Sequence, residues 1–246
     1  MRNDDFGCET MQVCLLRVAI DTGCGGMLGP LFRDGTFEYV PIPEGLGELG
    51  KTYGEIGGKK TGKLLCNFFP RSRLATIART AVHHDPEFET FTYGDPTIPK
   101  RSLRKLQAGD LLVFYAGLEP YDFEEHKKRG LYIIGYFEVS AAGESKDFSN
   151  DELHILFRNN HHVQYSRDED KLILVKGGQK SRLLQYAQPI SKIGLDKGGH
   201  NIYVLSNEAK MRLGSFTRLN AIQRSTPRWV SARNTEKAAE WIRALR

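Results

Sequence analysis

Two runs, LLVFYAG at 111–117 and LYIIGYFEVS at 131–140, are so rich in aliphatic and aromatic side chains that neither can leave a face in water. The segment between them, YDFEEHKKRG at 121–130, is dense in charge and ends in glycine. Two buried β-runs joined by a charged loop read as an antiparallel pair at the centre of a sheet. Both runs are far shorter than the roughly 18 apolar residues that a membrane-spanning helix needs. A third run, VCLLRVAI at 13–20, is apolar except for Arg17 and reads as another central strand. KLILVKGG at 171–178 is a strand closed by glycines. TFEYVPIP at 36–43 alternates and ends in prolines, the pattern of an edge strand. None of these runs is set off by a Pro- or Ser-rich linker, so residues 1–246 are expected to form a single compact domain with the strands near 13–20, 110–116 and 131–139 in one sheet.

The remaining segments are helical or irregular. KRSLRKL at 100–106 reads as a short basic helical turn, and NDELHILFRNN at 150–160 as a short helix with Asn150 as its cap. SRLLQYAQPIS at 181–191, NEAKMRLGSF at 207–216 and TEKAAEWIRALR at 235–246 read as helices, the last capped by Thr235. Strands and helices do not alternate strictly, which predicts the α+β class: a mixed, largely antiparallel sheet with peripheral helices. Residues 44–63, EGLGELGKTYGEIGGKKTGK, carry no sustained period and are expected to form a long surface loop, mobile or able to close over a ligand.

Charge and cysteine usage narrow the function classes. A formal net charge of +5 with dispersed basic residues permits attraction to a nucleotide or nucleic acid but marks no dedicated duplex-binding surface. Cys8, Cys14, Cys24 and Cys66 are spaced like neither CxxC zinc ligands nor a disulfide framework, so they read as thiols in a reducing compartment. MRNDDFGCETMQ lacks the apolar run of a secretory signal, and the expected location is the cytoplasm, away from any membrane.

Residues 82–95, VHHDPEFETFTYGD, concentrate two adjacent histidines, four carboxylates and three aromatic rings around a proline that forbids a regular helix. NNHH at 159–162 adds a second histidine doublet. A carboxylate beside an imidazole moves its pKa across neutrality and fixes its tautomer, the requirement for a general acid and base. His83, His84, Asp85, Glu87, His161 and His162 are therefore the candidate catalytic residues, and the two doublets are expected to meet on one polar pocket. Histidines with carboxylates also suit a transition metal, but no HExxH or comparable spacing is present, and no metal is assigned.

Arg17 interrupts an apolar strand and needs a carboxylate, a phosphate or water; Asp21 is the nearest acid. The glycines after it, GCGGMLG at 23–29, match no phosphate-binding fingerprint. Candidate nucleotide-binding residues are Arg17 and Asp21, then Tyr93 and Asp95, then Tyr115, Asn160, Lys176 and Arg182. The tyrosines offer stacking faces, Asn160 reads a donor and acceptor edge, and the cations flank a Gly-rich turn read as leading into a helix. On strands, the tyrosines are equally suited to the core.

AGDLLVFYAG followed by LYIIGYFEV is similar to a segment of the PUA, ASCH and EVE-like small barrels, which bind RNA or modified DNA bases. Over a greater length, RVAIDTGCGGMLGPLFRDGTFEYVPIP, HHDPEFETFTYGDP, GDLLVFYAGL, NNHH and LVKGGQKSRLLQYAQPIS resemble the third of the nucleotide modification associated domain families, found with DNA modification systems. The first likeness implies a PUA-like, barrel-like sheet, and the family resemblance implies a partner that is a nucleotide or DNA. It carries neither a cofactor nor a roster of catalytic residues. Two functions follow as alternatives: an enzyme that modifies a nucleotide or a base in DNA, or a non-catalytic reader that holds an altered base in an aromatic pocket lined by Tyr115 and Tyr136.

Overall fold

The computed structural model describes residues 11–44, 50–125, 128–165 and 171–246. Its centre is the expected antiparallel pair, β6 (Leu111–Pro120) and β7 (Gly130–Glu144), which exchange partners from Leu111↔Glu138 to Leu118↔Gly130. Eight residues of β6 in succession are buried, which is why the run is continuously apolar rather than alternating. Each long strand takes two partners in turn along its outer edge. β6 pairs in parallel with β1 (Val13–Arg17) over its first half and with β2 (Gly29–Leu31) over its second. β7 pairs antiparallel with β9 (Arg182–Pro189) near its start and, beyond a register shift, with β8 (Ile173–Gly177).

The full path runs β12 (Arg228–Trp229), β1, β6, β7, β8 and then β5 (Thr92–Asp95). The chain is α+β with a mixed, largely antiparallel sheet and peripheral helices, and strands β1, β6 and β7 share that sheet. Among the described residues the sheet does not close: its path ends at β12 on one side and β5 on the other, so the barrel-like expectation is corrected to an open sheet. Gly135 on β7 is required by close approach, since a Cβ there would lie 2.7 Å from the Arg182 carbonyl oxygen and 2.8 Å from the Phe88 ring.

Five local expectations change. Residues 181–191 form strand β9, not a helix: the segment covers the open edge of β7, and satisfying that ladder outweighs its helix-like spacing. The first strand stops at Arg17, and residues 36–43 give only the two-residue β3 (Ile42–Pro43). Helix α2 (Asn150–Leu156) is capped by Ser149 rather than Asn150, in a reciprocal box with Glu152. Helix α5 (Ala232–Ala244) starts after Ser231, and Thr235 lies one turn inside it. Ser149→Ala is expected to cost about 1 kcal/mol, read as a lower urea midpoint at unchanged slope; an unmoved midpoint would contradict the capping role.

The main core lies on the sheet, with a buried aromatic knot of Phe88, Tyr93, Phe114 and Phe137, and Tyr115 and Tyr136 are fully buried in the same core. A second core, built from Ile20, Val40, Tyr53, Leu65, Phe68, Phe69 and Val82, lies beside it. Within the expected loop 44–63, residues 45–49 fall outside the described residues; Tyr53 is buried, and bridges Thr52↔Ala81 and Gly57↔Leu64 tie the segment down. Among the described residues, Cys14, Cys24 and Cys66 are free thiols, and no helix is long and apolar enough to cross a membrane.

Candidate functional site

Three short elements build the site. β4 (Val82–His83) pairs antiparallel with β3, placing Ile42 opposite His83 and carrying Glu44 alongside. The chain then turns through Asp85 and re-enters the main sheet as β5. Helix α3 (His161–Gln164) is started by Asn160, whose side chain accepts from the His162 and Val163 amides, so both histidines fall in the first turn. Gly94 permits the close fit of β5 to α3: a Cβ there would lie 2.9 Å from the Asn160 Oδ1 and 3.1 Å from the His162 ring.

The two histidine-bearing stretches meet through His83. His83 lies with its ring centroid 4.1 Å from that of His161 and 4.8 Å from that of His162. Two buried carboxylates serve the three rings. Glu44 Oε2 is 3.0 Å from His83 Nδ1 and 2.5 Å from His161 Nε2. Asp85 Oδ2 is 3.5 Å from His162 Nε2 and 3.8 Å from His83 Nε2, and the Gly94 amide donates to both Asp85 oxygens at 3.0 Å. Burial pushes the Asp85 carboxyl up, but the His162 and His83 rings outweigh it and hold it below the usual aspartate value. Burial, followed by the neighbouring His83, lowers His161 to about 4, so this imidazole is neutral at pH 7.

This cluster forms part of the wall of a cavity of about 850 Å³, which His83, Asp85 and His162 line together with Arg17, Asp21, Tyr93 and Asp95. Arg17 is paired with Asp21 at 3.2 Å, as its position in an apolar strand requires, and it also donates to the Gln223 carbonyl. The Tyr93 hydroxyl and the Lys100 ammonium both donate to Asp95, at 3.0 and 3.1 Å. Arg224 lines the same space and is exposed.

Other sequence candidates lie elsewhere. His84 faces a second cavity of about 380 Å³ with Glu87, Lys59 and Glu89, and burial lowers its pKa to about 4. Glu87 accepts from the amides of Glu89 and Thr90 and from the Thr90 hydroxyl, so it organises its own turn. Lys176 on β8 donates to the Thr90 carbonyl, and burial lowers its pKa. Arg182 stacks over Tyr136 at 5.6 Å on a strand, so the helix N-terminus expected near Lys176 and Arg182 is not formed. Tyr115 is in the core with its hydroxyl donating to the Ile222 carbonyl at 2.8 Å. Glu44, at the cluster's centre, and Lys100 were not among the sequence candidates. A carboxylate two residues past the proline-flanked Ile42 was the available signal for Glu44.

The family model for nucleotide modification associated domain 3 matches residues 12–244, nearly the whole chain. The chain belongs to that family. The family's name gives the coarse role, a part in nucleotide modification, and the histidine cluster lies well within the matched residues. No curated protein and no solved structure matches the chain.

Two sets of donors in the cluster have the composition of a metal site: Glu44, His83 and His161 on one side, and His83, Asp85 and His162 on the other. In each set the donor atoms lie within 4.8 Å of one another, and His83 belongs to both. Neutral imidazoles beside an ionised carboxylate can also exchange a proton with a bound substrate.

Proposed function

We propose that the chain, working as one nucleotide-modification-associated domain in the cytoplasm, is an enzyme that modifies a nucleotide or a base in DNA in the 850 Å³ cavity. The observation that carries this reading is the convergence of His83 with His161 and His162 beside Asp85, with His83, Asp85 and His162 lining the same cavity as Arg17. Scattered polar residues would sit in water; here they are buried together, at a cost that a structural role does not require. In the proposed roles, Asp85 tunes His162 and His83 for proton transfer, and Arg17, Lys100 and Arg224 supply positive charge for a phosphate. Tyr93 and Asp95 contribute hydrogen-bonding groups at the cavity wall.

The reader alternative called for an aromatic cage from Tyr115 and Tyr136. Both rings are fully buried in the core, which weighs against that cage. The decisive experiment is mass spectrometry of nucleosides from the DNA and the free nucleotide pool of cells with and without the gene. A new or missing nucleoside is the expected result. Identical nucleoside profiles in both pools would sink the reading.

A further inference from the structure

We propose that His83, Asp85 and His162 bind one divalent first-row transition metal ion, with Glu44 as the positioning residue that aims His83 at it. The assignment rests on the reading of this cavity wall as a reaction centre and names what its donors hold.

The argument begins with tautomers. An ionised carboxylate only accepts, so the 3.0 Å contact places the proton of a neutral His83 on Nδ1, toward Glu44. The Nε2 lone pair then faces Asp85 Oδ2, 3.8 Å away, across a buried space that His162 Nε2 also borders at 3.5 Å from the same oxygen. A His83 Nε2 lone pair aimed at the Asp85 carboxylate is repulsive unless a cation lies between them, and His162 brings a second ring nitrogen to the same space.

The separations distinguish the two donor sets. Metal–ligand bonds of about 2.0–2.2 Å put neighbouring donors of a tetrahedral ion about 3.4 Å apart. The contacts of Asp85 with His162 and His83, 3.5 and 3.8 Å, exceed hydrogen-bond length and lie close to such an edge. The contacts of Glu44 with His83 and His161, 3.0 and 2.5 Å, are hydrogen bonds. Glu44 therefore supports the ligand ring through its other nitrogen, the usual carboxylate–histidine–metal relay. The Gly94 amide fixes the Asp85 carboxylate from behind.

Two imidazoles and one carboxylate select zinc, iron(II), manganese or cobalt over magnesium and calcium, which prefer all-oxygen sites. Three protein ligands leave coordination positions for water or substrate, and all three residues line the large cavity. With the ion bound, the acid of the proposed chemistry is the ion and its bound water, and Asp85 acts as a ligand rather than as the tuner of an imidazole.

The test uses untagged full-length protein stripped with EDTA, titrated with Co²⁺ and Zn²⁺ without any nucleotide. One ion per chain, a Tm raised by that ion, and indifference to Mg²⁺ are expected. Asp85→Asn and His162→Gln should each weaken binding at least about 100-fold, and Glu44→Gln about 10- to 100-fold. His200→Ala, at an exposed histidine outside the cluster, should change nothing. Variant folding is checked by far-UV circular dichroism of the metal-free proteins; if one of the two ligand variants does not fold, the other carries the test. Absence of saturable binding, equal competition by Mg²⁺, or wild-type affinity in the folded ligand variants would each overturn the assignment. A changed nucleoside profile without metal binding would refute the ion and keep the enzyme reading. Metal binding with unchanged nucleosides would do the reverse.

Discussion

Asp85→Asn is expected to reduce nucleotide modification by at least about 100-fold while the protein remains folded. The exchange keeps side-chain volume and retains an oxygen able to accept from the Gly94 amide, so the β5 to α3 contact has no steric reason to open. It removes the buried negative charge that lies 3.5 Å from His162 and 3.8 Å from His83. Whether Asp85 tunes an imidazole or binds a cation, the charge is what the site uses, so loss of activity is expected under both. Activity is read in the nucleoside assay on cells expressing the variant at wild-type level, and the fold by circular dichroism. Full activity in Asp85→Asn would exclude this wall of the cavity as the reaction centre.

The parts of the fold that were legible in the sequence share one cause. β1, β6, β7 and β8 are buried strands, and a continuous apolar run has few other places to go. β9 was misread because it is a half-exposed edge whose conformation is imposed by the ladder of β7, a long-range requirement that local spacing does not encode. At α2 the signal is local: Ser149 followed three residues later by Glu152 is a capping box, and it places the cap one residue before Asn150.

The site divides in the same way. Arg17 and Asp21 are four residues apart, and the cost of burying a guanidinium predicts their pairing without any fold. The density of polar groups marks HHD and NNHH, but a solvated surface would hold them equally well, and it is the fold that brings His83 to His161 and His162. Glu44 carried a single local cue, its place two residues past the proline-flanked Ile42. Its place beside His83 and His161 follows from the pairing of β3 with β4, two residues each, too short to carry any periodic signal.

Phe114→Ala is expected to have the largest effect on stability, about 3–5 kcal/mol, because it deletes a fully buried ring at the crossing of three others. Phe114 packs edge-on against Phe137 at 4.7 Å and Phe88 at 5.6 Å, and tilted against Tyr93 at 5.9 Å. Each such pair adds about 0.5–1.5 kcal/mol beyond area burial, and none can re-form around a methyl group. For a chain of this size the loss corresponds to a fall in Tm of roughly 6–20 °C. The consequence reaches the cavity, since Phe88 follows the Asp85 turn and Tyr93 donates to Asp95. The cavity left by the ring loosens both from beneath, so activity should decline before the protein unfolds. Thermal denaturation and activity measured over the same temperature range check this: a Tm within 2 °C of wild type, by the same scaling under about 1 kcal/mol, would mean that the aromatic knot does not carry the weight assigned to it.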